Sequence, residues 1–272
     1  MSEATRVAAV QMTSGASVSA NLAIVERCLR EAAEAGAILA VLPENVAFLG
    51  RRDVDKLAVA EPQGSGPIQA ALSGYAREYG LWIVAGTLPL RSADPTRVAA
   101  ASLVFDERGE IVARYDKIHL FDVLIPGKAE AYRESAHILA GDTVRVVDTP
   151  CGRLGLSVCY DIRFPELYRS MLAEGAEWFS VPAAFTVPTG EAHWETLLRA
   201  RAIENLAAVV AAGQVGRHEN GRATYGDSMI VNHWGEIQSR RREGVGIVVA
   251  DLDRDAQREA RQAFPALQHR KL

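Results

Sequence analysis

Cysteine is scarce in this 272-residue sequence, which has only Cys28, Cys151 and Cys159. An odd set of three makes no disulfide framework and fits a reducing, cytoplasmic setting. Histidine is thin as well. The six at His119, His137, His193, His218, His233 and His269 are too scattered for metal-ligand spacing such as HExxH, so no metal is expected. Apolar runs such as 207–212 fall far short of the ~20 residues that span a bilayer. Residues 1–12 carry Glu3 and Arg6 and lack a basic leader followed by a long apolar stretch, so they do not read as a signal peptide. Neither sign of charge dominates: 30 basic residues against 34 acidic ones give a net charge of -4. That balance disfavours nucleic acid and membranes as partners and leaves a small molecule as the default. No linker, charge block or repeat divides the chain, so the simplest organisation is one domain over 1–272.

What is present is an alternation of short β-rich runs with longer helical ones. Residues 6–12 and 38–42 read as buried strands on either side of a helix over 21–35, whose apolar residues Leu22, Val25, Cys28, Leu29 and Ala32 recur at helical spacing. Pro67 opens a helix that stops at Gly80, before a strand over 81–86. From Val98 the rhythm changes. Runs 98–105 and 110–115 flank Asp106-Glu107-Arg108-Gly109, a hairpin turn, and runs 144–148 and 153–158 repeat the device. Helices are expected over 164–174 and 191–206 and from Asp253 onward, with strands over 178–182, 207–212, 228–232 and 246–251. Hairpins mixed with βα units favour a sandwich of mixed sheets with outer helices over a purely parallel sheet.

Three side chains stand at strand ends. Cys159 follows the buried run Leu154-Gly155-Leu156-Ser157-Val158 and precedes the start of a helix, where N–H groups and the dipole would lower a thiol's pKa. A lone cysteine is more often a small buried hydrophobe, and position alone does not separate the two. Glu44 follows Val41-Leu42-Pro43 at the carboxyl edge of a sheet, where it could serve as a general base or simply cap a loop. Lys117 is one of only four lysines among the 30 basic residues. Its compact ammonium suits an oxyanion beside a carboxylate, although a solvated loop lysine would fit the position too.

Together these residues carry a family pattern. Leu42-Pro43-Glu44, then Tyr115-Asp116-Lys117-Ile118-His119-Leu120, then the stretch from Gly155 to Glu166 around Cys159 resemble the three active-site motifs of the carbon-nitrogen hydrolase (nitrilase) superfamily. They occur in the same order, and the likeness extends through 121–127, 192–195 and 199–205. The resemblance implies a four-layer αββα sandwich with mixed β-sheets, no cofactor, and a homodimer or larger homo-oligomer. It implies that Glu44 is the general base, Lys117 the oxyanion stabiliser, Cys159 the nucleophile and Glu134 a supporting glutamate. It also implies that Tyr160, through its backbone N–H, and Phe185 and Thr186 meet the substrate.

Residues 213–218 and 264–270 resemble the branch that holds deaminated glutathione amidases and omega-amidases. The implied substrate is a small amide with carboxylate groups, deaminated glutathione first. Arg163, Arg199, Arg201 and Arg217 are candidates for its clamp. Alternatives are 2-oxoglutaramate, N-carbamoyl or nitrile substrates, and a noncatalytic binding member, which would need none of the three side chains.

Overall fold

The computed structural model describes residues 5–124 and 131–271, so the Ile125-Pro126-Gly127 end of the motif at 121–127 lies outside the described residues. Two β-sheets stack face to face. In the first, strand Thr5–Gln11 pairs in parallel with Leu39–Val41, which pairs in parallel with Trp82–Val84. Strand Gly246–Leu252 closes one side of this sheet antiparallel to Thr5–Gln11, and Val98–Phe105 continues the other side. The second sheet runs in the order Val146–Thr149, Gly152–Leu156, Trp178–Ala183, Ala208–Gly213, Ser228–Val231, Ile237–Arg241. Its middle three strands are parallel and its outer pairs antiparallel.

The alternation of a strand explains the layering. In the first strand Val7 and Ala9 join the core shared with the second sheet, while Ala8 and Val10 turn to the opposite face. There they pack on helices α1 (Val18–Glu34) and α2 (Pro67–Tyr79). The buried stripe of α1 is Val25, Cys28, Leu29 and Ala32, at the predicted spacing. Helices α3 (Pro165–Ala173) and α4 (Val187–Asn205) cover the second sheet through Tyr168, Met171, Trp194, Leu198 and Ala202. The result is the αββα arrangement expected, followed by α5 (Arg254–Ala263), capped by Asp253. Among the described residues no helix is long and apolar enough to cross a membrane.

Both predicted hairpins form. Val98–Phe105 pairs with Ile111–Asp116 around a turn in which Asp106 accepts from the Arg108 and Glu110 N–H groups. Two shorter pairs were not legible in the sequence: Asp122–Leu124 with Ala131–Arg133, and Val215–Arg217 with Ala223–Tyr225. Residues of both pairs line one cavity, which the carboxyl ends of strands from both sheets also enter.

Candidate active site

The local backbone aims each side chain into that cavity. Glu44 leaves the end of strand Leu39–Val41, and the next residue, Asn45, takes a left-handed conformation with φ 57°. The turn is held by Thr87, whose hydroxyl accepts from the Asn45 N–H at 2.8 Å. Gly86 makes the approach possible, because a Cβ there would stand 1.9 Å from the Pro43 carbonyl oxygen. Lys117 follows strand Ile111–Asp116, and its backbone is gripped by the Ala100 carbonyl and the Gly141 N–H. Cys159 sits at φ 49°, a strained value for a residue with a side chain. It starts a 3-10 turn, Cys159–Arg163, whose opening leaves the Tyr160 N–H with no intrahelical acceptor.

These elements bring Glu44, Lys117, Glu134 and Cys159 together. Lys117 Nζ donates to Glu44 Oε1 at 2.8 Å and to both oxygens of Glu134 at 2.9 and 2.8 Å. Glu134 Oε2 also accepts from the Phe121 N–H at 2.7 Å, which fixes that carboxylate. Glu44 Oε2 accepts from the Ala184 N–H at 2.8 Å, and the Glu44 carboxylate bears electrostatically on the Cys159 thiol. Lys117 is 1% exposed and Glu44 4%, so the cluster is shielded from bulk water. Burial alone would lower the Lys117 pKa, but Glu134 and Glu44 outweigh it and hold the ammonium well above its usual range.

The thiol departs from the sequence-based expectation. Burial and the Glu44 carboxylate raise its pKa well above the usual value, and Lys117 opposes them without prevailing. The helix that was to lower it, α3, begins only at Pro165, beyond the intervening 3-10 turn. Cys159 therefore rests as a neutral thiol at neutral pH.

Tyr160, Phe185 and Thr186, the predicted substrate contacts, line the same cavity, which opens to solvent. Of the four candidate arginines only Arg163 lines it, with Cζ 5.8 Å from the Tyr160 ring centroid and 5.4 Å from that of Phe185. The other three have structural duties. Arg199 donates to the Gly235 carbonyl, the buried Arg201 to the Ile162 carbonyl, and Arg217 to the Gly221 carbonyl. Sequence reasoning missed Lys56, Arg133 and Arg222 in the wall, and it missed Asp161. Asp161, fully buried, accepts from Tyr115 Oη, the Val158 N–H and the His119 N–H, and its carboxylate meets His119 Nδ1 at 2.7 Å. It thereby ties the strand end that carries Lys117 to the turn that carries Cys159. Its place two residues after Cys159 was the available signal.

A strained thiol beside a buried glutamate and ammonium, at the strand ends of an αββα sandwich, defines a cysteine hydrolase site. The carbon-nitrogen hydrolase family model matches residues 6–262, and the chain belongs to that family. It is 44% identical to the deaminated glutathione amidase of Yersinia enterocolitica over 264 residues, 97% of this chain and 92% of the relative. Among solved structures, the NitFhit protein of Caenorhabditis elegans matches with a TM-score of 0.89 at 36% identity, covering 100% of this chain and 66% of that longer one. A variant of the amidase from Nesterenkonia sp. AN1, with acrylamide joined to its active-site cysteine by Michael addition, matches with a TM-score of 0.80. That pair is 27% identical, over 97% of this chain and 99% of the other.

Proposed function

We propose that this carbon-nitrogen hydrolase is a cysteine-dependent amidase that cleaves deaminated glutathione to 2-oxoglutarate and cysteinylglycine. The observation that carries the chemistry is the buried cluster in which Glu44 binds the Lys117 ammonium in the cavity that Cys159 also lines. The choice of substrate is supported by the 44% identity to a relative of that name and by Arg163, a guanidinium in the cavity wall suited to a substrate carboxylate.

Because the thiol rests neutral, its proton leaves as the bond to carbon forms. Glu44 takes that proton while Cys159 Sγ attacks the amide carbon. The carbonyl oxygen becomes an oxyanion between the Lys117 ammonium and the Tyr160 N–H. In the free enzyme all three Lys117 protons are engaged by Glu44 and Glu134, so one of them must turn to the oxyanion as it forms. Stabilisation then develops with the transition state and is weak in the ground state, which is what lowers a barrier. Protonated Glu44 next delivers its proton to the leaving nitrogen, and the amine departs. A water deprotonated by Glu44 attacks the thioester, whose carbonyl oxygen again becomes an oxyanion at the same site; the carbon–sulfur bond then breaks, the acid leaves, and the proton on Glu44 returns to Cys159 Sγ. Glu134 keeps Lys117 charged and in place throughout.

The test is to measure 2-oxoglutarate release from deaminated glutathione and from 2-oxoglutaramate and to compare kcat/KM. A large excess for the first substrate is expected. A large excess for the second would make the enzyme an omega-amidase, and turnover of neither would leave the hydrolase chemistry without this substrate.

A further inference from the structure

The cavity wall carries more positive charge than the acyl-transfer steps use. At one end Arg163 lies over the Tyr160 and Phe185 rings, with His193 Nδ1 at 3.4 Å as its polar neighbour. From Tyr160 a file of aromatic rings runs along the wall. Tyr160 meets Phe121 at 5.1 Å between centroids, and Phe121 meets Tyr132 at 5.1 Å. At the far end of the file Arg222 stands with Cζ 5.0 Å from the Tyr132 centroid. Arg222 is paired with Asp53, Nη1 donating to Oδ1 and Nη2 to Oδ2, each at 2.9 Å.

Lys56 adds a second cationic side chain at this end of the cavity. It lies on the 3-10 segment Asp53–Val59, three residues after Asp53 and so on the same side of the helix. Burial would raise the Asp53 pKa, but Arg222, and after it Lys56, hold it down. Lys56 lines the cavity, is partly exposed, and makes no ion pair of its own among the described residues. Arg163 and Lys56 thus stand at opposite ends of a three-ring wall, neither with a carboxylate partner among the described residues.

The two ends suit different halves of a substrate. Arg163 shares the short 3-10 turn Cys159–Arg163 with the nucleophile, so it is rigidly tied to whatever acyl group Cys159 carries. Lys56 comes from a separate segment three rings away and lies partly open to solvent, as a site for a tail that must leave would. We propose that Lys56, beside the Arg222–Asp53 pair, is the subsite for a carboxylate on the leaving-amine side of the scissile amide, opposite the acyl-side carboxylate at Arg163. This deepens the proposed function and rests on it. Deaminated glutathione carries a carboxylate on each side of its amide, whereas 2-oxoglutaramate carries one only on the acyl side. Lys56 would then be the residue that separates a peptide amine from ammonia as leaving group.

The experiment compares two substrates that differ only at the far end: deaminated glutathione and the same compound with its glycine carboxylate converted to a carboxamide. The readout is the ratio of their kcat/KM values within each variant, which is insensitive to how much of the protein is folded. Wild type is expected to prefer the acid by about ten- to hundredfold, the size of one charge-assisted hydrogen bond. Lys56→Gln should bring the ratio close to one and Lys56→Arg should restore it, while Arg163→Gln should slow both substrates and keep the ratio. A Lys56→Gln enzyme with the wild-type ratio, or a wild type that cleaves both compounds equally well, would overturn the subsite and leave the amidase assignment standing. A wild type inactive on both compounds would instead remove the proposed substrate, and the subsite with it.

Discussion

Lys117 spends two of its three donors on Glu134, bonding both carboxylate oxygens at 2.8 to 2.9 Å. The third goes to Glu44, so the buried ammonium is bracketed by two negative charges. Such an ammonium stays charged and acts as a fixed electrostatic partner without giving up its proton.

Glu134→Gln keeps the shape of this side chain and an acceptor for the Phe121 N–H but removes one of the two charges. We expect kcat to fall by about ten- to hundredfold, the value of one charge-assisted hydrogen bond. Substrate binding should change less, because Glu134 acts through Lys117. Steady-state kinetics on the purified variant checks the split between kcat and KM.

The raised thiol pKa gives a pH signature. At neutral pH Cys159 holds less thiolate than a free cysteine, so the rate of alkylation by iodoacetamide should keep rising past pH 9, the ordinary thiol value. Cys28 and Cys151 do not confuse the reading, since both are buried and burial pushes their thiols up to about 11 and about 12. A rate that reaches its plateau below pH 8 would show a low-pKa thiolate and contradict the neutral resting state.

Asp161→Ala should be costly although Asp161 touches no substrate. It strands Tyr115 Oη, two backbone N–H groups and the His119 ring in the interior. The expected loss is about 3 kcal/mol or more, a fall in Tm of roughly 10 °C. Calorimetry or a thermal-shift measurement reads it directly, and a Tm within a degree or two of wild type would show that these donors find other partners.

Acid should weaken the fold through His218. Burial lowers its pKa below 6.5, with the Ser14 carbonyl opposing, and the ring is held as the Nδ1–H tautomer between Ser14 and Thr224. As pH falls through 6.5 the unfolded chain binds a proton that the folded protein does not, so stability declines with falling pH until the folded pKa is reached. Urea unfolding at pH 7.5 and 5.5 should show this loss, and His218→Gln should show a smaller one.

Much of this architecture was legible because local signals agree with the tertiary result. Helix α2 runs from Pro67 to Tyr79 as read, since proline at a first turn lacks a donor that is unsatisfied anyway. Helix α4 begins at Val187, earlier than the expected 191, for the same reason: Pro188 sits in its first turn. Glu44, Lys117 and Cys159 were marked by strand ends and by motif spacing, but their mutual distances were not. The thiol pKa was misjudged because it depends on burial and on Glu44, which lies 115 positions away in the chain. Arg222 and Lys56 escaped notice because their meeting is set by a contact between Asp53 and a hairpin 169 residues further on. No local pattern records that contact.

The central claim is that Cys159 attacks the amide carbon and carries the acyl group as a thioester. Acid quenching during turnover of deaminated glutathione, followed by mass spectrometry of the Cys159 peptide, tests it most directly. The account predicts a 2-oxoglutaryl adduct on Cys159 that appears within the first turnover, disappears as substrate is consumed, and is absent from an inactive Cys159→Ala enzyme. Sustained turnover by Cys159→Ala, or an adduct on another residue, would contradict it.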